Sequence, residues 1–307
     1  MTMQVEAVPL VSLADITEIE LVILQRMREV TLGDHRSRSH GSGFDMVGLR
    51  EWQAGDKFSA IDWGQSSLTN FAPLVVREFE QPSTATVMAV ADDSLSTRCG
   101  ANGRPIAAPI ARALATIGMS AVFFQDPFGL LTFDSGFAHL SSIRPRTGKR
   151  HVVHCLDAYQ TGRGLDPVRR TGTLADTLGG YLRRPSLVAI VSDFLFEDAP
   201  AVLKDISIMG GMHDVFIVLI DSTFAFELPA VSAGWANAVD VETGRPRTLS
   251  RRTLSALADH ARRWQDQVRF AARDVDLDVV NVGIDSDQSD IALSEFVAER
   301  RLRKTRT

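Results

Sequence analysis

Cysteine is scarce in these 307 residues: Cys99 and Cys155 are the only two, and no Cys-x-x-Cys pair exists. That excludes a disulfide framework and a thiolate zinc site, and it fits a reducing cytoplasm. No apolar stretch approaches the roughly 20 residues needed to cross a bilayer. Glu6 and Asp15 stand where a signal peptide needs a basic start and an unbroken apolar core, so membrane insertion is not expected. An excess of positive charge is also missing. The net charge is -5 with acids and bases interspersed, which argues against nucleic acid or a membrane surface as the main partner. The phosphate-cradling Gly-x-x-x-x-Gly-Lys-Ser/Thr loop is absent too. Gly148-Lys149 runs into Arg150 and has Ile143 where the first glycine is required, so any nucleotide hydrolysis must come from elsewhere.

What the chain does have is a 45% hydrophobic composition, enough for a full-sized core. Strand and helix patterns alternate along it, which predicts an α/β fold with a doubly wound, mostly parallel sheet. Leu13 to Val30 places Ile16, Ile19, Ile23 and Met27 at helical spacing. Gly33 to Pro82 is polar and glycine-containing with scattered aromatics, and predicts short strands and turns. The expected organisation is an N-terminal helix and accessory segment (1–83), a main α/β domain (84–285), and a C-terminal helix with a basic tail (286–307). Within the main domain, Thr86–Asp92, Leu187–Val191, Val215–Ile220 and Leu277–Val282 read as strands. Phe128–Phe133 and Phe137–Ile143 read as a hairpin whose second strand closes the sheet edge. Arg251–Arg273 reads as a helix turning Leu254, Leu257, Ala261, Trp264 and Val268 inward.

The chemistry concentrates where the first strand ends, at Asp92-x-Ser94-x-Ser96. One carboxylate and two hydroxyls on a strand-to-helix turn can fill neighbouring corners of the oxygen octahedron that magnesium takes. Ser and Asp also cap helices, but the carboxyl end of a strand is where open α/β sheets place ligands. Further ligands must come from elsewhere, and Thr173, in a loop before a helix, and Asp193, at the end of a buried strand, are the candidates; Asp221 ends another strand on the same rim. If the direct ligands are mainly neutral hydroxyls, the ion keeps much of its charge. An acidic side chain of another protein could then join it, or a bound water could be activated for hydrolysis.

Asp92-x-Ser94-x-Ser96, Thr173 and Asp193, in that order, resemble the metal-ion-dependent adhesion site of the von Willebrand factor A domain. Gly43-Phe44, Leu49-Arg50-Glu51-Trp52, Gly55-Asp56, Ile61-Asp62-Trp63 and Val76-Arg77-Glu78-Phe79-Glu80 look like the segment preceding that domain in the bacterial domain-of-unknown-function family fifty-eight. Asp221 with Glu227-Leu228-Pro229, and Val241-Glu242-Thr243-Gly244, extend the likeness to about four fifths of the chain. The resemblance implies a von Willebrand factor A-like fold of Rossmann type binding Mg2+, or another divalent cation such as Mn2+. It implies a non-enzymatic adaptor, working beside a MoxR-type AAA+ ATPase in maturation or assembly of a client. A metal-dependent hydrolase on the same site is the alternative. The chain departs from the pattern at Phe58-Ser59-Ala60, where an arginine is common, at Gly64, where a basic residue is usual, and at Thr97, where methionine is frequent.

Other groups have plainer expectations. Arg50, Glu51, Asp56, Asp62, Arg77, Glu78 and Glu80 read as an ion-pair network pinning the accessory segment. His151 and His154 lack a third metal ligand. Asp126-Pro127 stops a helix. Arg300, Arg301, Arg303, Lys304 and Arg306 read as a solvated tail, and Trp235 with the Glu242-Thr243-Gly244 turn fits a binding surface or a hairpin packed under the long helix equally well.

Overall fold

The runs Thr86–Asp92, Ser186–Ser192 and Asp214–Ile220 are apolar on both faces, and a strand of that composition is stable only between two covering layers. The computed structural model describes residues 9–34, 46–53, 56, 58, 61–79, 85–101, 103–134, 137, 139–196, 198–226, 234–239 and 245–304. The chain starts with α1 (Leu13–Asp34), β1 (Met46–Glu51), α2 (Trp63–Leu68) and β2 (Val75–Phe79). Then come β3 (Thr86–Asp92), β4 (Gly100–Ala101), β5 (Arg104–Pro105), α3 (Ala107–Phe123), β6 (Phe128–Phe133), β7 (Leu140–Arg146), α4 (Lys149–Thr161), β8 (Asp166–Val168) and α5 (Leu174–Tyr181). The rest is β9 (Ser186–Ser192), α6 (Ala199–Ser207), β10 (Asp214–Ile220), β11 (Trp235–Val239), β12 (Pro246–Ser250), α7 (Arg251–Asp274), β13 (Asp278–Val282) and α8 (Ser286–Lys304).

A seven-stranded sheet runs β13-β10-β9-β3-β6-β7-β8. From β13 to β6 neighbours pair in parallel, while β7 lies antiparallel to both β6 and β8. Alternation along β3 sends Val87, Ala89 and Ala91 into one core, with residues of α1, α3, α4 and α8, and Met88 and Val90 into the other, with α5, α6 and α7. The expected doubly wound, mostly parallel sheet is therefore present. Its edge is one strand further out than expected: the hairpin partner is Leu140–Arg146, and the short β8 closes the sheet. Phe137 is no strand residue but a turn residue at φ 54°, its ring stacked on Phe133 at 4.2 Å.

The chain divides into two compact units, Met1–Val30 with Thr84–Thr307, and Thr31–Ser83. The N-terminal helix thus groups with the sheet: Ile16, Ile19, Ile23 and Met27 are at most 3% exposed, in the same core as α3. In the smaller unit β1 and β2 pair antiparallel, and Asp62 caps α2 by accepting from the Gly64 and Gln65 N–H groups. Arg50 grips Asp56 through two 2.7 Å bonds, and this pairing holds the Asp56 carboxyl down at about 2. Glu80 and the side chains of Arg77 and Glu78 lie outside the described residues, as do Gly43, Phe44 and Gly55.

Two expectations fail. The basic C-terminal run is not simply a solvated tail: Arg301 is buried and holds Asp126 through Nε at 2.6 Å, while Arg300 pairs with Asp214 and Asp278. Asp126 also accepts from the Ala85 N–H at 2.9 Å, so it ties α8 to the entrance of β3 besides ending α3. On α7, Leu254, Ala261 and Val268 are buried as expected, but Leu257 is exposed and Gln265 takes an inward place, donating to the Ile220 carbonyl.

Candidate metal centre

Parallel register brings the two central carboxylates together. Ala91 lies opposite Val191, so the next step along each strand sets Asp92 beside Ser192, with Asp193 immediately after it. The Ser192 hydroxyl donates to Asp92 Oδ2 at 2.6 Å, and the Ser94 N–H donates to Asp92 Oδ1 at 2.9 Å. Tyr159 on α4 donates its hydroxyl to the Asp92 carbonyl at 2.7 Å, fixing the strand end. The Ser94 and Ser96 hydroxyl oxygens are 2.9 Å apart, and Thr97 donates to the Ser94 carbonyl at 2.8 Å. Ser94 is buried and Ser96 exposed, so the loop leads from the interior to the surface. Asp93, turned the other way, pairs with Arg98 at 2.8 Å.

Asp193 is 2% exposed; its Oδ1 accepts from the Leu195 N–H at 3.2 Å, and its Oδ2 has no hydrogen-bond partner among the described residues. Burial, and then the neighbouring Asp92 carboxylate, push the Asp193 carboxyl up to about 7, against the opposing pull of the Leu195 N–H and the nearby Ser222 hydroxyl. Burial also raises Asp92, against the opposing pull of the Ser192 and Ser94 hydrogen bonds. Neither carboxylate forms an ion pair among the described residues. Two buried acids without a cationic side chain among the described residues, one with an oxygen unpartnered there, form a site short of positive charge. No group of three or more His, Cys, Asp and Glu side chains able to hold a metal occurs among the described residues. A cation here could be held only with hydroxyls included, by Asp92, Asp193, Ser94 and Ser96, and an all-oxygen donor set suits a hard ion.

Thr173 caps α5, where its hydroxyl accepts from the Asp176 N–H at 3.2 Å and Asp176 answers at the Thr173 N–H. No hydrogen bond among the described residues joins it to Asp92, Ser94 or Ser96. Its loop does border the carboxyl rim: Arg170 donates to the Phe137 carbonyl at 3.2 Å, and Phe137 packs on Phe133 and Phe196. Asp221 is taken up locally, accepting from the Thr223 N–H and hydroxyl. His151 faces the Cys155 sulfur at 3.6 Å rather than sharing a ligand with His154. Ser192 and Tyr159 are site residues that the motif misses. Tyr159 falls seven residues after Val152 on the inward face of α4, a spacing visible in the sequence.

Solved structures similar to the chain include two pilus proteins. The pilus adhesin SpaC from Lactobacillus rhamnosus GG is 12% identical over 73% of this chain and 31% of its own, with a TM-score of 0.37. A mutant PilB minor pilin from Streptococcus sanguinis is 9% identical over 76% of this chain and 64% of its own, also at 0.37. The chain therefore spans about a third of the first and just under two thirds of the second. No curated protein matches it. The family model described as protein of unknown function DUF58 matches residues 48–269, well over half the chain, and the chain belongs to that family.

Proposed function

We propose that the chain is a cytoplasmic, von Willebrand factor A-like adaptor that binds Mg2+ at the carboxyl rim and through it a carboxylate of a client protein. It acts beside a MoxR-type AAA+ ATPase in client maturation or assembly, and is not itself an enzyme. The observation that carries this reading is the Asp92–Asp193 pair, buried, uncompensated by an arginine or lysine among the described residues, and without a partner there for Asp193 Oδ2. Asp92, Ser94, Ser96 and Asp193 are the proposed ligands, with Thr173 joining from the adjacent loop. When bound, the cation supplies the positive charge that an incoming carboxylate needs. The chain's own residues do the rest. Ser192 and the Ser94 N–H orient Asp92, Tyr159 fixes its backbone, and Asp193 must release its proton for the site to fill. The free thiols Cys99 and Cys155 support a reducing compartment, and no described helix is long and apolar enough to cross a membrane. The ATPase partner rests on the family resemblance.

Magnesium should raise the melting temperature of the wild type over an EDTA control and leave the Asp92→Ala variant unmoved. The same variant should lose chelator-sensitive client capture while keeping its fold, because Tyr159 bonds the backbone rather than the replaced side chain. No response of either protein to magnesium or manganese overturns the proposal, and turnover of a phosphoester or peptide by the isolated chain replaces it with the hydrolase reading.

A further inference from the structure

The opposite edge of the sheet carries a second feature. Where Thr86 opens β3 and Ser186 opens β9, a cleft of about 700 Å3 is walled by Arg144, Arg183, Arg184, Tyr181, Pro145 and Leu182. None of its lining residues among the described residues is acidic. The guanidinium groups of Arg144, Arg183 and Arg184 make no ion pair or hydrogen bond among the described residues, and the buried Tyr181 hydroxyl has no partner there either.

What sets these three apart is that they wall one cleft together. Arg50, Arg112, Arg300 and Arg301 are each engaged by carboxylates, and Arg112 alone reaches Asp15, Glu18 and Asp290. In a protein with a net charge of -5, three arginines left together without an acid among the described residues do not reflect an excess of base. Guanidinium forks match carboxylates in bidentate geometry. Pro145, Leu182 and the Tyr181 ring offer apolar walls to the methylenes of glutamate side chains. A long polyanion such as nucleic acid is disfavoured, because three cations in a short cleft cannot offset its repulsion by the negative body of the molecule.

We infer that the Arg144–Arg183–Arg184 cleft docks an acidic, Asp/Glu-rich segment of a partner protein. Six strand steps separate Thr86 from Asp92, about 20 Å at the usual rise, so this surface and the carboxyl rim can be engaged at the same time. The inference does not depend on the metal.

The test is fluorescence anisotropy of a labelled octaglutamate peptide with the full-length chain in EDTA, which separates its outcome from that of the metal site. The wild type should bind, more weakly as salt rises. The Arg144→Ala/Arg183→Ala/Arg184→Ala variant should bind about tenfold more weakly or worse. The corresponding triple lysine variant should recover part of the loss, and Asp92→Ala should bind as the wild type does. All three arginines are exposed, so the alanine variant should keep the wild-type melting curve. Absence of binding, or equal affinity for the alanine variant, overturns the inference. So does tighter binding of a single-stranded oligonucleotide of equal charge through the same arginines, or self-association of the free chain that the alanine variant abolishes.

Discussion

At the residue scale the most informative group is Asp193. Its carboxyl sits near 7 against an ordinary 3.8, so the folded state holds a proton that the unfolded chain releases. The contribution from the neutral acid is whole below about pH 4 and is lost as pH rises through about 7. In EDTA, the urea midpoint should therefore fall between those values, by the equivalent of a few kcal/mol. Asp193→Asn should flatten that dependence, since an amide does not titrate, and saturating magnesium should offset it at the upper end by taking up the ionised form. A wild-type profile that coincides with the asparagine variant would contradict the assignment. Asp126 makes a different case, because its buried partner Arg301 stands 175 residues away. Asp126→Ala removes the carboxylate that Arg301 holds through Nε and the acceptor of the Ala85 N–H, and should cost about 3–5 kcal/mol in denaturant unfolding. A loss below about 1 kcal/mol, within the range of exposed pairs, would show that the pair is solvated as its sequence context suggests.

At the scale of elements, legibility follows burial. β3, β9 and β10 are readable because strands covered on both faces must be apolar throughout, and β3 and β9 end at Asp92 and Ser192 while β10 is followed by Asp221 on the rim. Asp92 and Asp193 were legible as neighbours for the same reason: parallel strands share a carboxyl edge. β8 was not, since Asp166–Val168 is a three-residue edge strand containing Pro167, with no alternation to reveal it. The inward role of Arg301 was hidden because an isolated run of bases reads as solvated until its distant carboxylate is known. Ser192 was legible only as a strand end, because its bond to Asp92 depends on which strands become neighbours. Contact between α3 and α4 depends on another detail, Gly118. A Cβ there would lie 2.6 Å from Val152 Cγ1 and 3.4 Å from Phe128 Cε1, and the buried, β-branched Val152 has little room to yield. Alanine is the better helix former, yet Gly118→Ala should destabilise the protein by about 1–3 kcal/mol through overpacking. An increase in thermal stability would mean that the helices separate without cost.

At the scale of the whole molecule, the sheet's core is completed by a helix that precedes it in sequence by some fifty residues. Ile16, Ile19, Ile23 and Met27 pack in the α3 layer, and Arg112 on α3 pairs with Asp15 and Glu18 on α1 while also holding Asp290 on α8. Four fully buried apolar side chains correspond to roughly 6–12 kcal/mol of transfer free energy as an upper bound. That is comparable with the entire stability of an ordinary domain. A fragment limited to residues 84–307 keeps every strand of the seven-stranded sheet but exposes the surface that α1 covers. It should aggregate or unfold at a much lower urea concentration than the full chain, and a peptide spanning residues 9–34, added in trans, should shift the midpoint upward. Equal midpoints for fragment and full chain would make α1 an ornament on a self-sufficient sheet, and would leave the Arg112 cluster without a stabilising role.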